Sequence, residues 1–332
     1  MSRTEKLAAL LCTAGLDRLA RLSWRGLLVF NYHRIGRPTE LDDPDLFSAT
    51  VEDLDTQVGL LADRFEIVAA GSADLRDGRP SRRIALTVDD GYADELLAAQ
   101  VFAAHGVTGS FFVTTGYVDH PRHAWWDEIA WLSRGVPADG LAPCEWLPDG
   151  LDPSGHSPDD VRRLLNGAYK ARAGERGEEF LDWLSGVTGR ERPDVGEAKD
   201  RWMSWDDVRG LRRDGMEVGG HTVTHPILST LDAEAQRVEV SQSMGRLREE
   251  LDEDVDTFAY PVGASDSFDD ATRDALRAAG VRRAYSFCGG LNGRRGTDPF
   301  DVRRVGVFGE SATVIRATAA LPAVFGAPRR YA

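Results

Sequence analysis

Two short stretches of the chain carry side chains whose types and spacing could do chemistry. The apolar run Ile84-Ala85-Leu86-Thr87-Val88 leads directly into Asp89-Asp90-Gly91-Tyr92. A buried strand of that kind would deliver both carboxylates to its C-terminal end, where α/β barrels keep their reactive groups. Adjacent carboxylates repel unless a cation or a shared proton stabilises them, so the pair points to one or the other; a turn with a helix cap is the plainer alternative. The second stretch, His221-Thr222-Val223-Thr224-His225-Pro226, follows Met216–Gly220 and holds two of the seven histidines. A four-residue spacing suits one face of a helix, but Pro226 biases His225 toward extended backbone and β-branched threonines intervene. Both histidines are therefore expected on a loop at a strand end. Two neutral imidazoles converging with a carboxylate would make the His₂-carboxylate set of an open catalytic zinc site.

Placing those residues requires parallel strands joined by crossover helices, and the chain alternates accordingly. Strands are expected at Leu27–Tyr32, Glu66–Ala69, Ile84–Val88, Gly109–Thr114, Glu217–Gly220, Thr257–Tyr260, Ala284–Phe287 and Val302–Val307. Helices are expected at Asp53–Asp63, Asp94–His105, Ser204–Asp214, Ala233–Leu251 and Asp269–Ala279, with Gly106, Gly215 and Gly280 as C-terminal caps. This is an α/β protein whose strand number suits a barrel of seven or eight parallel strands. Residues 117–203 break the rhythm, with Pro and Gly punctuation and a helical stretch around Val161–Trp183, and read as an insertion within 27–332. Seven of the eight tryptophans (Trp125, Trp126, Trp131, Trp146, Trp183, Trp202, Trp205) fall in or just beyond it. Most are expected to be core of the insertion, with Trp125 and Trp126 as candidates for lining a substrate cleft. Residues 1–26 read as an amphipathic N-terminal helix built on Leu7–Leu16, Leu19 and Leu22.

Forty Lys and Arg against 54 Asp and Glu give a formal charge of −14, which opposes attraction to nucleic-acid phosphate or anionic lipid. Cys12, Cys144 and Cys288 are far apart and form no Cys-x-x-Cys pair, so a thiolate zinc site or disulfide framework is not expected and a reducing compartment is. The N-terminal apolar run is too short to span a membrane and is followed by Asp17, Arg18, Arg21 and Arg25 without a clear cleavage site; surface contact with a membrane stays open.

The paired motifs Thr87-Val88-Asp89-Asp90-Gly91 and His221-Thr222-Val223-Thr224-His225 resemble the first two motifs of the polysaccharide deacetylase family, carbohydrate esterase family 4 or the NodB-homology domain. The resemblance spans residues 27–116 and 204–308. It implies a distorted (β/α) barrel and a metal-dependent hydrolase, with Asp89 as general base and Asp90, His221 and His225 as ligands of a divalent metal, usually zinc. The family's third motif corresponds to Phe258-Ala259-Tyr260-Pro261-Val262-Gly263, where Ala259 stands in place of the usual arginine and Val262 would supply a backbone oxyanion donor. Arg303 or Arg304, preferably Arg304, is the expected substitute for that arginine. The late Leu-x-His motif is missing, since no histidine follows His225. Some members of the superfamily carry the histidine motif at the N-terminus instead, and Leu28-Val29-Phe30-Asn31-Tyr32-His33, on a strand that a closed barrel sets beside the last one, makes His33 the expected acid. A strand-capping histidine is the alternative. His105, His120, His123 and His156 have no comparable context and are expected at the surface.

The function expected is hydrolysis of an N-acetyl group from an amino sugar in a glycan or glycoconjugate precursor, with Tyr260, Pro261, Val262, Arg304, Trp125 and Trp126 on the substrate side. A cytoplasmic step in surface-glycan synthesis fits better than wall trimming. Two alternatives compete: hydrolysis of another non-peptide C–N bond, and a carbohydrate-binding homologue without turnover, motivated by Ala259 and the missing late histidine.

Overall fold

A computed structural model of the chain describes residues 2–15, 17, 24–72, 82–293 and 297–326. Seven parallel strands close into a barrel: β1 (Gly26–Tyr32), β2 (Arg82–Asp90), β3 (Ser110–Val113), β4 (Glu217–Gly220), β5 (Thr257–Ala259), β6 (Arg283–Ser286) and β7 (Val302–Gly306). Each pairs with the next in sequence, β7 returns to β1, and β1 pairs with β2 over its whole length from Gly26↔Arg82 to Tyr32↔Val88. The expected eighth strand shortens to Glu66–Ile67 and pairs only with Arg83 and Ile84, at the start of β2, so it stands outside the closed ring. Beyond it, Ala70 and Gly71 donate their N–H groups to Ser110 Oγ and the Glu217 carboxylate, which ties this segment to the amino-terminal ends of β3 and β4.

The two-residue period of a strand decides what points where. In β1 and β2, Leu28, Phe30, Tyr32, Ile84, Leu86 and Val88 pack outward with the helices. Leu27, Val29 and Ala85 turn into the barrel, with Phe112, Ala259, Tyr285 and Val302. Continuing that inward row along β2 brings Thr87 and then Asp89. The same alternation turns Ala259 inward and Phe258 and Tyr260 outward.

The helices around the sheet are α1 (Arg3–Thr13), α2 (Val51–Ala62), α3 (Leu96–Ala104), then, after the inserted segment, Trp205–Arg213, Ala233–Leu251, Asp270–Ala278 and Ala312–Ala320. Ser204, Asp232 and Asp269 cap their helices by accepting N–H groups of the first turn, and Gly106 (φ 64°) and Gly215 (φ 83°) close theirs in the left-handed region. In α1, Ala8 is buried against Val314 and Ala317, whereas Leu7 and Leu10 are exposed; Leu16, Leu19 and Leu22 of the expected longer helix lie outside the described residues. Among the described residues no helix is long and apolar enough to cross a membrane.

Residue contacts divide the chain into two compact units. The barrel unit takes in the chain up to Gly36, Leu46–His120 and the chain from Trp202; the second takes in Arg37–Asp45 with Pro121–Arg201. The second unit packs helices Trp125–Leu132, Pro158–Arg172 and Gly177–Thr188. The single helical stretch expected at Val161–Trp183 is thus two helices, broken where Gly174 adopts φ 51°. Trp125 stacks on Tyr169 (4.3 Å) and meets Trp126 edge-on (5.1 Å), and both indoles are buried in this unit. Buried carboxylates pair within it: Asp43 with Arg162, and Asp42 and Asp127 with Arg201. His123, expected at the surface, is buried here with Nε2 2.9 Å from the Asp194 carbonyl. In the barrel unit, His105 is half-buried and lies 2.9 Å from Asp55, while His120 is exposed; His156, in the second unit, is exposed too.

Candidate active site

The site is built at the carboxyl-terminal ends of the strands, where β2 ends in Asp89 and Asp90. Both carboxylates are almost completely buried. Asp89, on the inward row, meets Arg304 of β7: Arg304 Nη1 donates to Asp89 Oδ1 at 2.7 Å and to Asn31 Oδ1 at 2.7 Å. Asn31 Nδ2 in turn donates to Asp89 Oδ2 at 3.3 Å, and Thr87 Oγ1 donates to Asn31 Oδ1 at 2.6 Å. The guanidinium is held from the other side by the Ser286 carbonyl, 3.2 Å from Nε. Burial would raise the Asp89 carboxyl, but the Arg304 guanidinium, through its charge and its hydrogen bond, outweighs it and holds it below the ordinary aspartate range. Arg303, the other candidate, is exposed beside Asp301. Ala259 brings no charge to the inward row of β5, and the cation beside Asp89 comes from β7 instead.

Asp90, one residue on, ends β2 in register with Val113 and stands at φ 97°. Its Oδ1 lies 3.4 Å from His221 Nε2 and 3.4 Å from His225 Nε2, and one donor atom from each of the three residues lies within 4.8 Å of the others. The histidines sit on a loop after β4, as expected, but His225 is at φ 59° rather than extended. The local hydrogen bonds explain why the proline's bias loses: His225 N–H donates to Thr222 Oγ1 (3.0 Å), and Glu239 accepts from Val223 N (2.7 Å), Thr224 N (3.0 Å) and Thr224 Oγ1 (2.6 Å). Thr115 and Gly116 donate to the Thr222 and Val223 carbonyls from the opposite side. A side chain at Gly116 would collide with the Val223 carbonyl. Among the described residues, non-glycine positive φ occurs at Asp90, Thr222, His225, Val262 and Asp252. All but Asp252, which ends a helix, belong to this site, and such backbone strain gathers where function over-determines geometry.

The donor chemistry fits a divalent cation. His221 Nδ1 lies 2.8 Å from the Ala259 carbonyl, which can only accept, so Nδ1 carries the proton and Nε2 presents its lone pair to Asp90. Burial lowers the His225 imidazole below its usual value despite the Asp90 carboxylate, which favours the neutral, ligating form. Lone pairs and a carboxylate facing one another at 3.4 Å repel unless a cation lies among them. Ligands about 2.0–2.1 Å from a tetrahedral ion stand roughly 3.3–3.4 Å apart, the separation seen at Asp90.

Three further groups complete the rim. His33 follows β1, its N–H donating to Ser48 Oγ at 2.9 Å. Burial lowers its imidazole pKa, against the opposing pull of the Asp90 and Asp89 carboxylates. Glu95, fully buried, accepts from Gly91 N (3.1 Å) and Tyr92 N (3.0 Å) and so fixes the turn after Asp90; burial, then the Asp90 and Asp94 charges, raise its carboxyl well above the usual range. Val262 sits at φ 61°, and among the described residues no acceptor takes its N–H.

Not every expected residue is at this centre. Tyr260 faces outward: it is buried, stacks on Phe268 at 3.9 Å and donates its hydroxyl to the Phe300 carbonyl, so its side chain is packing. Pro261 is buried in the turn that follows. Trp125 and Trp126 are core of the second unit. Sequence reasoning passed over Asn31, Glu95 and Glu239. Asn31 had a signal, a lone amide inside an otherwise apolar buried strand, which must find a partner; Glu239 had none.

The profile of the family described as Polysaccharide deacetylase matches residues 182–284, which include the His221–His225 loop and the Tyr260–Gly263 turn. That segment of the chain is similar to the polysaccharide deacetylases. The matched segment stops short of Asp89, Asp90 and His33, so those residues join it through the fold. No curated protein matches the chain. Solved structures with the same fold include the Streptococcus pyogenes deacetylase PplD in complex with acetate (13% identity over 85% of this chain and 92% of that one, TM-score 0.55). IcaB from Ammonifex degensii is 17% identical over 90% of this chain and 97% of that one, with a TM-score of 0.53. The BpsB deacetylase domain from Bordetella bronchiseptica is 18% identical over 85% and 95%, with a TM-score of 0.52.

Proposed function

We propose that this chain is a metal-dependent hydrolase that removes the N-acetyl group from an amino sugar in a glycan or glycoconjugate precursor. The observation that carries the reading is the convergence of Asp90, His221 and His225 beside a separately buried, arginine-paired Asp89. The first three would hold a divalent ion, zinc by the nitrogen-rich donor set, and its chemistry when bound is to polarise the acetyl carbonyl and acidify water. Asp89 takes the proton of the attacking water, its ionised form maintained by Arg304. The Val262 N–H, which meets no acceptor among the described residues, would donate to the oxygen that becomes negative as water's oxygen bonds the acetyl carbon. The C–N bond then breaks, the sugar nitrogen takes a proton from His33, and the water oxygen leaves in acetate. The three cysteines are unpaired, which supports action in a reducing compartment such as the cytoplasm.

Acetate release from N-acetylglucosamine oligomers tests this. Asp89→Asn is expected to lose about 10²–10⁴-fold while still binding metal; unchanged release would remove the mechanism.

A further inference from the structure

The ring of His33 is held differently from the other side chains of the site. Asp89 is fixed by Arg304, and His221 by the Ala259 carbonyl. The His33 Nδ1 is enclosed, and among the described residues no group accepts from it or donates to it. What meets the imidazole is aromatic: Phe287 stands edge-on at 5.9 Å, Phe308 lies nearly parallel at 6.5 Å, and the two phenyl rings meet at 5.7 Å and 89°. Phe287 directly follows β6 and Phe308 lies just beyond β7, so two neighbouring strand ends deliver them.

Both rings rest on Gly306. A side chain there would overlap Phe308 and Phe287 together, while the backbone is not in the left-handed region. A glycine inside a strand weakens it and marks a close approach; here the space, not the dihedral angle, demands it. The register sets Gly306 opposite Asn31, two residues before His33, so the rings and the imidazole share one corner of the barrel.

We infer that Phe287 and Phe308, seated on Gly306, are positioning residues for His33, holding the imidazole by ring contacts where a carboxylate would otherwise orient it. The inference rests on the reading of His33 as the proton donor. Ring contacts fix the imidazole plane without engaging Nε2, which is left to the reaction. The pair therefore matters only where the leaving group needs a proton.

Two substrates separate the roles: an N-acetylglucosamine oligomer, whose amine must be protonated, and 4-nitrophenyl acetate, whose phenolate leaves unaided. His33→Ala sets the limit, a loss of about 10²–10⁴-fold on the amide alone. Phe308→Ala is expected to lower kcat on the oligomer by roughly 10–100-fold, a part of that limit, with KM and aryl-ester hydrolysis within about threefold. Phe308→Tyr, which keeps the ring, is expected to restore amide turnover. If the alanine variant does not fold, Phe308→Leu carries the same expectation. Amide turnover within threefold of wild type would overturn the inference, as would an equal loss on both substrates with metal binding intact. A wild-type protein active on neither substrate would instead overturn the reading of the site.

Discussion

Arg304→Met isolates the ion pair that keeps Asp89 ready. The arginine is 1% exposed, and its Nη1 lies 2.7 Å from Asp89 Oδ1. At an effective dielectric of about 20, that separation corresponds to roughly 6 kcal/mol of direct attraction, much of it offset by the desolvation of both groups. Removing one partner of a buried pair costs about 3–5 kcal/mol. Methionine keeps most of the volume over Phe112 but leaves Asp89, among the described residues, with Asn31 as its remaining side-chain hydrogen-bond donor. The Asp89 carboxyl in the wild type lies below its ordinary range, so the stability it contributes is present above that range and lost as the pH falls through the folded value. In the variant the carboxyl rises, and the base is protonated over more of the working range. If about 3–4 kcal/mol of the loss falls on the ionised base, the acid limb rises by roughly two to three pH units, so kcat/KM falls up to roughly 10²–10³-fold on the acid side and much less at neutral pH. The acid limb of the pH profile moves to higher pH. Stability from urea unfolding and kcat/KM from acetate release measure the two effects separately. Arg304→Met combined with Asp89→Asn should recover much of the stability and none of the activity, since no buried charge is left alone. A single variant with kcat/KM within threefold of wild type and an unmoved acid limb would refute the reasoning.

Other substitutions probe the scaffold of the site. Glu239→Ala removes the acceptor of three hydrogen bonds on the histidine loop and is expected to weaken metal affinity about 10–100-fold, read by competition with a chromophoric chelator. Val262→Gly relieves a β-branched residue at φ 61° while keeping its N–H; stability should rise by about 1 kcal/mol or more in urea unfolding, with acetate release retained.

The barrel was legible because the strands alternate cleanly and Gly106, Gly215 and Gly280 punctuate the helices. Asp89, Asp90, His221 and His225 were legible from residue type at strand ends. What the sequence concealed follows from direction and distance. Tyr260 lies next to Ala259, and the two-residue period turns one into the barrel and the other out against Phe268. His225 is left-handed although a proline follows, because Thr222 and a glutamate on the next long helix fold the loop. Trp125 and Trp126 looked available for a ligand, yet their area is spent on Tyr169 and on each other. His123 lacked any sign of its buried contact with the Asp194 carbonyl, since 71 residues separate them.

The central claim is that one cation joins Asp90, His221 and His225, and metal titration tests it most directly. The wild-type protein stripped with chelator should bind one divalent ion per chain, and Asp90→Ala, His221→Ala and His225→Ala should each abolish that tight binding. A wild-type chain that binds no ion, or variants that bind as tightly as wild type, would contradict the account.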